Sequence, residues 1–264
     1  MKSLNRRQFI KLLMGGLTMS LLGNCSTQES EQGLPGKPVP TSTTSVGPTG
    51  TATRPILRSI DAPGFYVRYY RPFKAVDPSR WTLSVEGAVR HPQKLSLSNV
   101  LAMPRISQVS RMKCGECWSA AAKWDGIHLS SLMELANPEP RAQWVHFGCA
   151  DGYHESMPVQ DLLQERVVLV HHMNDQILPD DYGAPLRLMV PFRYGYKSAK
   201  AIVRIEFAAE ELPGYWSTVS IYSKHGKIRP GRDRPLDLQG NRTIPGGAEI
   251  FYPDGIESVA LEQD

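Results

Sequence analysis

From Trp81 to Gly87 the chain reads Trp-Thr-Leu-Ser-Val-Glu-Gly, apolar and polar side chains in turn. That two-residue period puts Trp81, Leu83 and Val85 on one face of a β-strand and Thr82, Ser84 and Glu86 on the other. Val145–Cys149, Arg166–His172, Leu186–Val190 and Ile202–Phe207 are also strand-like, so at least five strands are expected. Helical stretches are short. Ser96–Met103 stops at Pro104, Ser130–Ala136 stops at Asn137-Pro138, and Pro158 suits the first turn of Val159–Glu165. There is no internal repeat and no nucleotide-binding glycine loop, and the pattern predicts an α+β fold with mixed sheets rather than a doubly wound sheet.

The first 57 residues follow neither period. Asn5-Arg6-Arg7-Gln8-Phe9-Ile10-Lys11 sets an arginine pair before an aromatic, and the apolar run Leu12–Leu22 ends at Gly23-Asn24-Cys25. Its 11 residues, two of them glycine, fall well short of the ~20 that span a bilayer. The segment resembles a twin-arginine signal with a lipoprotein cleavage box at Cys25, although Asn24 stands where a smaller residue is usual. That export route carries folded proteins, often ones loaded with a cofactor beforehand, and places the chain outside the cytoplasm on a lipid anchor. Residues 26–57 are rich in Ser, Thr, Pro and Gly and read as a disordered tether. A single folded domain is expected over 58–230, with 231–264 as an extended tail packed on it.

Composition alters this picture little. With 41% hydrophobic and 21% charged residues the chain is ordinary for a globular protein, and 21 Pro and 22 Gly imply many turns. The formal charge of +4 reads as dispersed, with no basic run beside stacking aromatics, so nucleic acid is not expected as a partner.

Candidate chemistry centres on cysteine. If Cys25 is the lipid anchor, Cys114, Cys117 and Cys149 remain, an odd number for an exported protein. Cys114 and Cys117 form C-x-x-C in Arg111-Met112-Lys113-Cys114-Gly115-Glu116-Cys117-Trp118. A c-type haem needs His where Trp118 stands. A zinc site would recruit Cys149 with His146 or His154, a redox pair would want a βαβ setting, and buried structural thiols need nothing more.

Six segments in one order separate these readings. They are Phe65-Tyr66-Val67-Arg68; Asp77-Pro78 with Trp81–Gly87; Arg111-Met112-Lys113-Cys114; Trp124-Asp125-Gly126 with Leu129; Gly183-Ala184-Pro185-Leu186-Arg187; and Tyr194–Lys200. Together, over about 60 to 225, they resemble the sulfite-oxidase-type molybdopterin oxidoreductases, closest to the bacterial exported branch that contains the methionine-sulfoxide reductases. The resemblance implies a sulfite-oxidase-like fold and a molybdenum–molybdopterin cofactor. In that family one thiolate binds the metal, and Cys114 occupies its place. A soft donor suits a metal that changes oxidation state while it exchanges oxygen. Arg111 and Lys113 flank the thiol and would favour its deprotonation. Lys197, Ser198 and Lys200 match the positions that hold the pterin phosphate, and Arg187 matches a further cofactor contact.

The chain also departs from the family. Tyr69-Tyr70-Arg71 stands where many relatives carry Asn-His, Cys149 where the reductase branch has a Thr, and Tyr182 where it has an Asn. Contacts from Tyr70, Arg71, Cys149 and Tyr182 to the cofactor are therefore expected from position alone. Sulfite oxidases proper line their pocket with arginines, whereas Glu116 follows the ligand position here. A carboxylate 4 Å from an anionic substrate costs about 4 kcal/mol at an effective dielectric near 20. Neutral S- or N-oxides, small or protein-bound, are thus the expected substrates, with Glu116 in the site beside Cys114. The aromatic-rich insertion of the reductase branch is missing before Tyr215-Trp216-Ser217. With no haem or flavin motif, electrons are expected to pass to or from a separate redox protein, a membrane haem protein or a cytochrome. Residues after 230 leave no room for the dimerisation domain of larger sulfite oxidases, and a monomer is expected. A sulfite-oxidising dehydrogenase and a zinc-stabilised non-enzymatic lipoprotein are the alternatives.

Overall fold

The computed structural model describes residues 65–67 and 75–253. Two sheets carry the fold. The first has the order β2 (Gln93–Ser96), β1 (Thr82–Gly87), β10 (Ile202–Ala208), β5 (Trp144–Cys149) and β6 (His154–Pro158). β1 and β10 run parallel and every other pair in it is antiparallel. The second has the path β12 (Arg242–Ile244), β11 (Gly231–Pro235), β4 (Trp118–Ile127), β7 (Val168–Met173) and β8 (Gln176–Ile177). β3 (Ile106–Lys113) also pairs with β4, and β9 (Arg187–Met189) with β7.

All five strands expected from the sequence are present with ends shifted by a residue or two, and the α+β, mixed-sheet class holds. The alternation in β1 works as read: Leu83 and Val85 are fully buried, and Trp81 is closed over by its own Nε1–H, which donates to the Ile202 carbonyl at 2.9 Å. These side chains join Val145, Phe147, Ile205 and Phe207 in the main core, against Ile127, Leu169 and Leu188 of the second sheet. β7 is buried on both faces, since Leu169 enters that core while Val168 and Val170 pack with Met112, Trp124 and Met189 on the other side.

The helices are shorter than expected. α1 (Leu97–Leu101) starts at a capping box between Ser96 and Asn99 and is over before Met103. α2 (Leu129–Ala136) ends on Asn137 in the left-handed region. α3 (Val159–Leu162) has Pro158 as its N-cap residue rather than inside its first turn, and stops short of Glu165. A fourth, α4 (Tyr215–Val219), was not expected. Residues after 230 supply β11, paired parallel to β4, and β12.

Candidate functional site

Cys114 sits at the turn of the β3–β4 hairpin. The ladder runs from Ile106↔Gly126 to Lys113↔Ser119, leaving Cys114 to Cys117 as the connecting loop, closed by Cys114 N–H to the Trp118 carbonyl at 3.0 Å. Lys113 turns inward. Its ammonium donates to the carbonyls of Glu116 (2.7 Å) and Trp118 (3.2 Å) and lies 3.2 Å from Oδ1 of Asp233 on β11. One buried cation thus ties both sides of the loop. Burial holds Lys113 below the usual lysine range and Asp233 pulls it back up.

Cys114 itself is half-buried and lies outside any disulfide. Beside it Gly115 leaves no space for a side chain, because an added Cβ would come within 2.6 Å of Cε1 of Tyr222. The Tyr222 phenol is raised by burial, then by the thiol of Cys114, then by Glu116. Glu116 is exposed, and its charge reaches the same ring as the thiol. Tyr222 continues into Tyr196, with ring centroids 4.9 Å apart, and Trp216 at 6.1 Å. An aromatic wall therefore stands against the turn at Gly115, next to Cys114.

Arg111, expected to favour the thiolate, is held by a carboxylate of its own. It is fully buried and pairs two-pointed with Asp237, Nη1 to Oδ1 at 2.7 Å and Nη2 to Oδ2 at 2.9 Å, with the ring of Tyr252 4.9 Å from its guanidinium carbon. Successive side chains of a strand point to opposite faces, but 111 and 113 share one, and both are neutralised there by carboxylates near or on β11.

Next to the hairpin is a second group of cations. Arg187, on β9, is buried and donates to the Tyr182 carbonyl at 2.9 Å and the Leu188 carbonyl at 3.3 Å, with the sulfur of Met112 at 3.7 Å and the ring of Trp124 at 5.3 Å. Among the described residues no carboxylate faces it, and burial pulls it down to about 10. Lys200 donates to the Asp181 carbonyl at 3.1 Å and is pulled down to about 8 by burial and then by Arg187. Gly183, at φ 104°, lies so close to Lys200 that an added Cβ would meet Lys200 Cβ at 2.7 Å. Tyr182 thus offers its carbonyl to Arg187 and its ring to Phe65, 6.0 Å away. Cys149, at the end of β5, is a buried thiol that burial and then Asp151 push up, opposed by a backbone hydrogen bond from Lys200.

Lys197 needs correction. All three protons of its ammonium have acceptors within the protein: Glu155 Oε1 at 2.6 Å, the Ser156 carbonyl at 2.9 Å and the Lys224 carbonyl at 2.8 Å. In this arrangement it ties β6 to the loop at Lys224. Ser198 is buried and its Oγ accepts from Val190 N–H at 3.2 Å. Tyr70 and Arg71 lie outside the described residues.

The structure therefore brings Arg187, Lys200, Tyr182 and Cys149 into one group, joined through Met112 to the Cys114 hairpin. Arg187 and Lys200 suit an anion: two neighbouring cations, of which Arg187 faces no carboxylate among the described residues, stand next to the hairpin of a half-buried thiol. Sequence reading missed Asp233, Glu155 and Tyr222. For Glu155 a signal existed, since it stands in β6 among Ser156 and Met157, all buried. Among the described residues no group of three or more His, Cys, Asp or Glu is placed to hold a metal ion, so neither His146 nor His154 completes a zinc site with Cys149.

Comparison with known proteins agrees with this geometry. The model of the oxidoreductase molybdopterin-binding domain matches residues 70–216. The protein-methionine-sulfoxide reductase catalytic subunit MsrP of Gluconobacter oxydans is 31% identical over 194 residues, covering 66% of this chain and 62% of that one. The protein of the same name from Burkholderia mallei is 31% identical over 194 residues, covering 67% and 59%. The chain thus spans about three fifths of the length of these relatives. Among solved structures, the sulfane dehydrogenase SoxCD of Paracoccus pantotrophus aligns with a TM-score of 0.52 at 19% identity, over 65% of this chain and 46% of that one, a likeness of fold.

Proposed function

Because this chain belongs to the oxidoreductase molybdopterin-binding family, whose model matches 70–216, we propose that it reduces neutral S- or N-oxides at a molybdenum centre bound by the thiolate of Cys114. The observation that carries the reading is the half-buried Cys114 thiol on a hairpin whose Met112 sulfur lies 3.7 Å from Arg187, a buried guanidinium that no carboxylate among the described residues neutralises. When bound, the molybdenum cofactor supplies two-electron oxygen exchange, by which a sulfoxide, two electrons and two protons give a sulfide and water.

The chain's own residues bind, orient and select. Arg187 and Lys200 would hold the anionic end of the pterin, with Tyr182 and Cys149 beside them, and Ser198, Tyr70 and Arg71 would supply further contacts. Lys113 keeps the hairpin turn closed so that the thiol is presented in one place. Tyr222, Tyr196 and Trp216 offer an aromatic face to a neutral sulfoxide. Glu116, at the mouth, disfavours a sulfite dianion and leaves a neutral substrate nearly unaffected. Electrons come from a separate redox protein, a membrane haem protein or a cytochrome. The similarity to methionine-sulfoxide reductase catalytic subunits supports the S-oxide side of the reading. Residues 1–25 act as a twin-arginine, lipoprotein-type signal and 26–57 as a tether, placing the domain outside the cytoplasm.

Metal analysis of protein from a molybdenum-competent host, with turnover of a small sulfoxide and of sulfite, tests the reading. Stoichiometric molybdenum, sulfoxide reduction with an artificial donor, and loss of turnover in Cys114→Ala are expected, with Cys117→Ala far milder. Sulfite oxidation faster than sulfoxide reduction would assign the sulfite-oxidising branch, and Glu116→Gln should shift preference toward anions.

A further inference from the structure

The charge that reads as dispersed along the sequence is concentrated on the folded surface. Between Pro213 and Ala248 the chain has six Lys or Arg and two Asp, which equals the whole formal +4 of the protein. Both Asp are spent inside: Asp233 is buried against Lys113, and Asp237 pairs with Arg111. Lys224, Lys227, Arg229, Arg232 and Arg234 are all exposed, and among the described residues only Lys224 pairs with a carboxylate, Glu211 at 4.0 Å. On β11 the alternation is inverted, with Asp233 and Pro235 buried and Arg232 and Arg234 together on the outer face. The segment is held in place, since Gly226 and Ile228 accept backbone hydrogen bonds from Tyr194 and Gly247. Just before it, Val219 is 57% exposed and Ile221 is 96% exposed, side chains that gain nothing from water.

We propose that this surface, from Val219 to Arg234, rests on an anionic phospholipid bilayer, with the cations against the headgroup phosphates and Ile221 entering the interface. Lys227, Arg229, Arg232 and Arg234 give a surface mainly of one sign, with Glu116 and Glu211 only toward its Tyr222 and Lys224 edge, and this matches a negative plane. Each cation near such a plane strengthens binding roughly fivefold, and guanidinium groups suit phosphate oxygens. A folded acidic protein fits less well, because a protein interface needs a desolvated core of aromatic anchors, and here the large apolar side chains that are exposed, Val219 and Ile221, are aliphatic. The Tyr222 ring, next to Ile221, lies over Gly115, so the mouth of the site opens beside the same surface. The inference stands on charge and exposure, apart from the proposed reaction.

Co-sedimentation with vesicles tests it, comparing phosphatidylcholine containing about a third phosphatidylglycerol with phosphatidylcholine alone, using the full chain with Cys25→Ser to prevent acylation. Binding to the anionic vesicles alone is expected, weakening about a hundredfold in Lys227→Glu/Arg229→Glu/Arg232→Glu. A control with equal charge change, Arg80→Glu/Arg90→Glu/Lys94→Glu, alters exposed cations elsewhere and should weaken it far less. Ile221→Ser should weaken it a few-fold at unchanged charge. If the triple variant fails to fold, the salt dependence of the unreversed chain decides, since the binding should fade as the screening length falls below ~10 Å. Equal loss in patch and control variants, equal binding to neutral vesicles, or no binding to anionic ones would overturn the proposal, the last pointing to an acidic protein as the occupant.

Discussion

The ammonium of Lys113 and the carboxylate of Asp233 meet at 3.2 Å inside the protein, and the same carboxylate also accepts from the Ser119 hydroxyl and, at 2.7 Å, from Tyr252. Removing Asp233 leaves a buried cation uncompensated and two hydroxyls without their acceptor. Asp233→Ala should therefore cost about 3–5 kcal/mol. At about 2–4 °C per kcal/mol for a domain of this size, the apoprotein should melt ~10 °C lower. Replacing the pair together, Lys113→Met with Asp233→Leu, should recover much of that loss. A double variant as unstable as the single would show that the pair does more than neutralise itself.

Arg187 makes the opposite prediction. Its guanidinium is buried with two carbonyls, a sulfur and a ring around it but no carboxylate among the described residues. In Arg187→Leu the empty protein should melt at the same temperature or higher, because an expensive buried charge is gone. Molybdenum and pterin content after purification should fall tenfold or more. Calorimetry on the apoprotein and metal analysis on the loaded one read the two effects separately, and a large drop in apoprotein stability would mean that Arg187 is structural.

Gly126 has no room for a single methyl group. A Cβ there would collide with the carbonyl oxygen of Leu169 on β7, which is backbone within the ladder and cannot swing aside. Gly126→Ala should destabilise by ~4 kcal/mol or more, placing it among the exceptional substitutions. Soluble yield and the urea midpoint measure this, and a midpoint near that of the parent would refute it.

His171 sets an acid limit. Its ring is buried, touches the ring of His172 with the two Nδ1 atoms 2.5 Å apart, and is held down to about 4 by burial and then by His172. The unfolded chain, with an ordinary value near 6.5, binds a proton that the folded chain refuses. Stability from this group is thus present above about 6.5 and is lost as pH falls toward about 4. Unfolding free energies at neutral and mildly acidic pH should fall less steeply in His171→Gln than in the parent. Parallel slopes would clear His171 of the effect.

Export supplies a check outside the described residues. Replacing Arg6 and Arg7 with Lys should strand the precursor in the cytoplasm, measured by fractionation, and undiminished export would argue against the twin-arginine route.

How legible the molecule is from its sequence depends on which faces of each element are buried. β1 and β10 stand at boundaries between core and solvent, so alternation betrays them. β4 does not: Trp118-Ser-Ala-Ala-Ala-Lys is buried on both faces, and its run of alanines carries no period. β11, Gly-Arg-Asp-Arg-Pro, hides even better, because its inward residue is a charge neutralised by Lys113 from another strand. Only resemblance singles out Cys114, Arg187 and Lys200, because no local pattern of the chain marks them as a site. Lys197 sits between the same motif residues, yet its direction depends on Glu155 and on the carbonyls of Ser156 and Lys224, which no local pattern reveals. Tyr222 escaped for the same reason, being placed by the fold against Gly115 from more than a hundred residues away.

Because Asp233 and Asp237 close the hairpin that carries Cys114, a nascent chain that has emerged only as far as β10 still lacks two carboxylates that hold its own centre. Lys113 and Arg111 then stand as buried positive charges with nothing to answer them, and the turn between β3 and β4 has no reason to stay shut. A cofactor offered to such a chain meets a half-built cradle. Synthesis must run past Asp237 before both carboxylates are in place and the pocket can settle, so ripening comes late in translation.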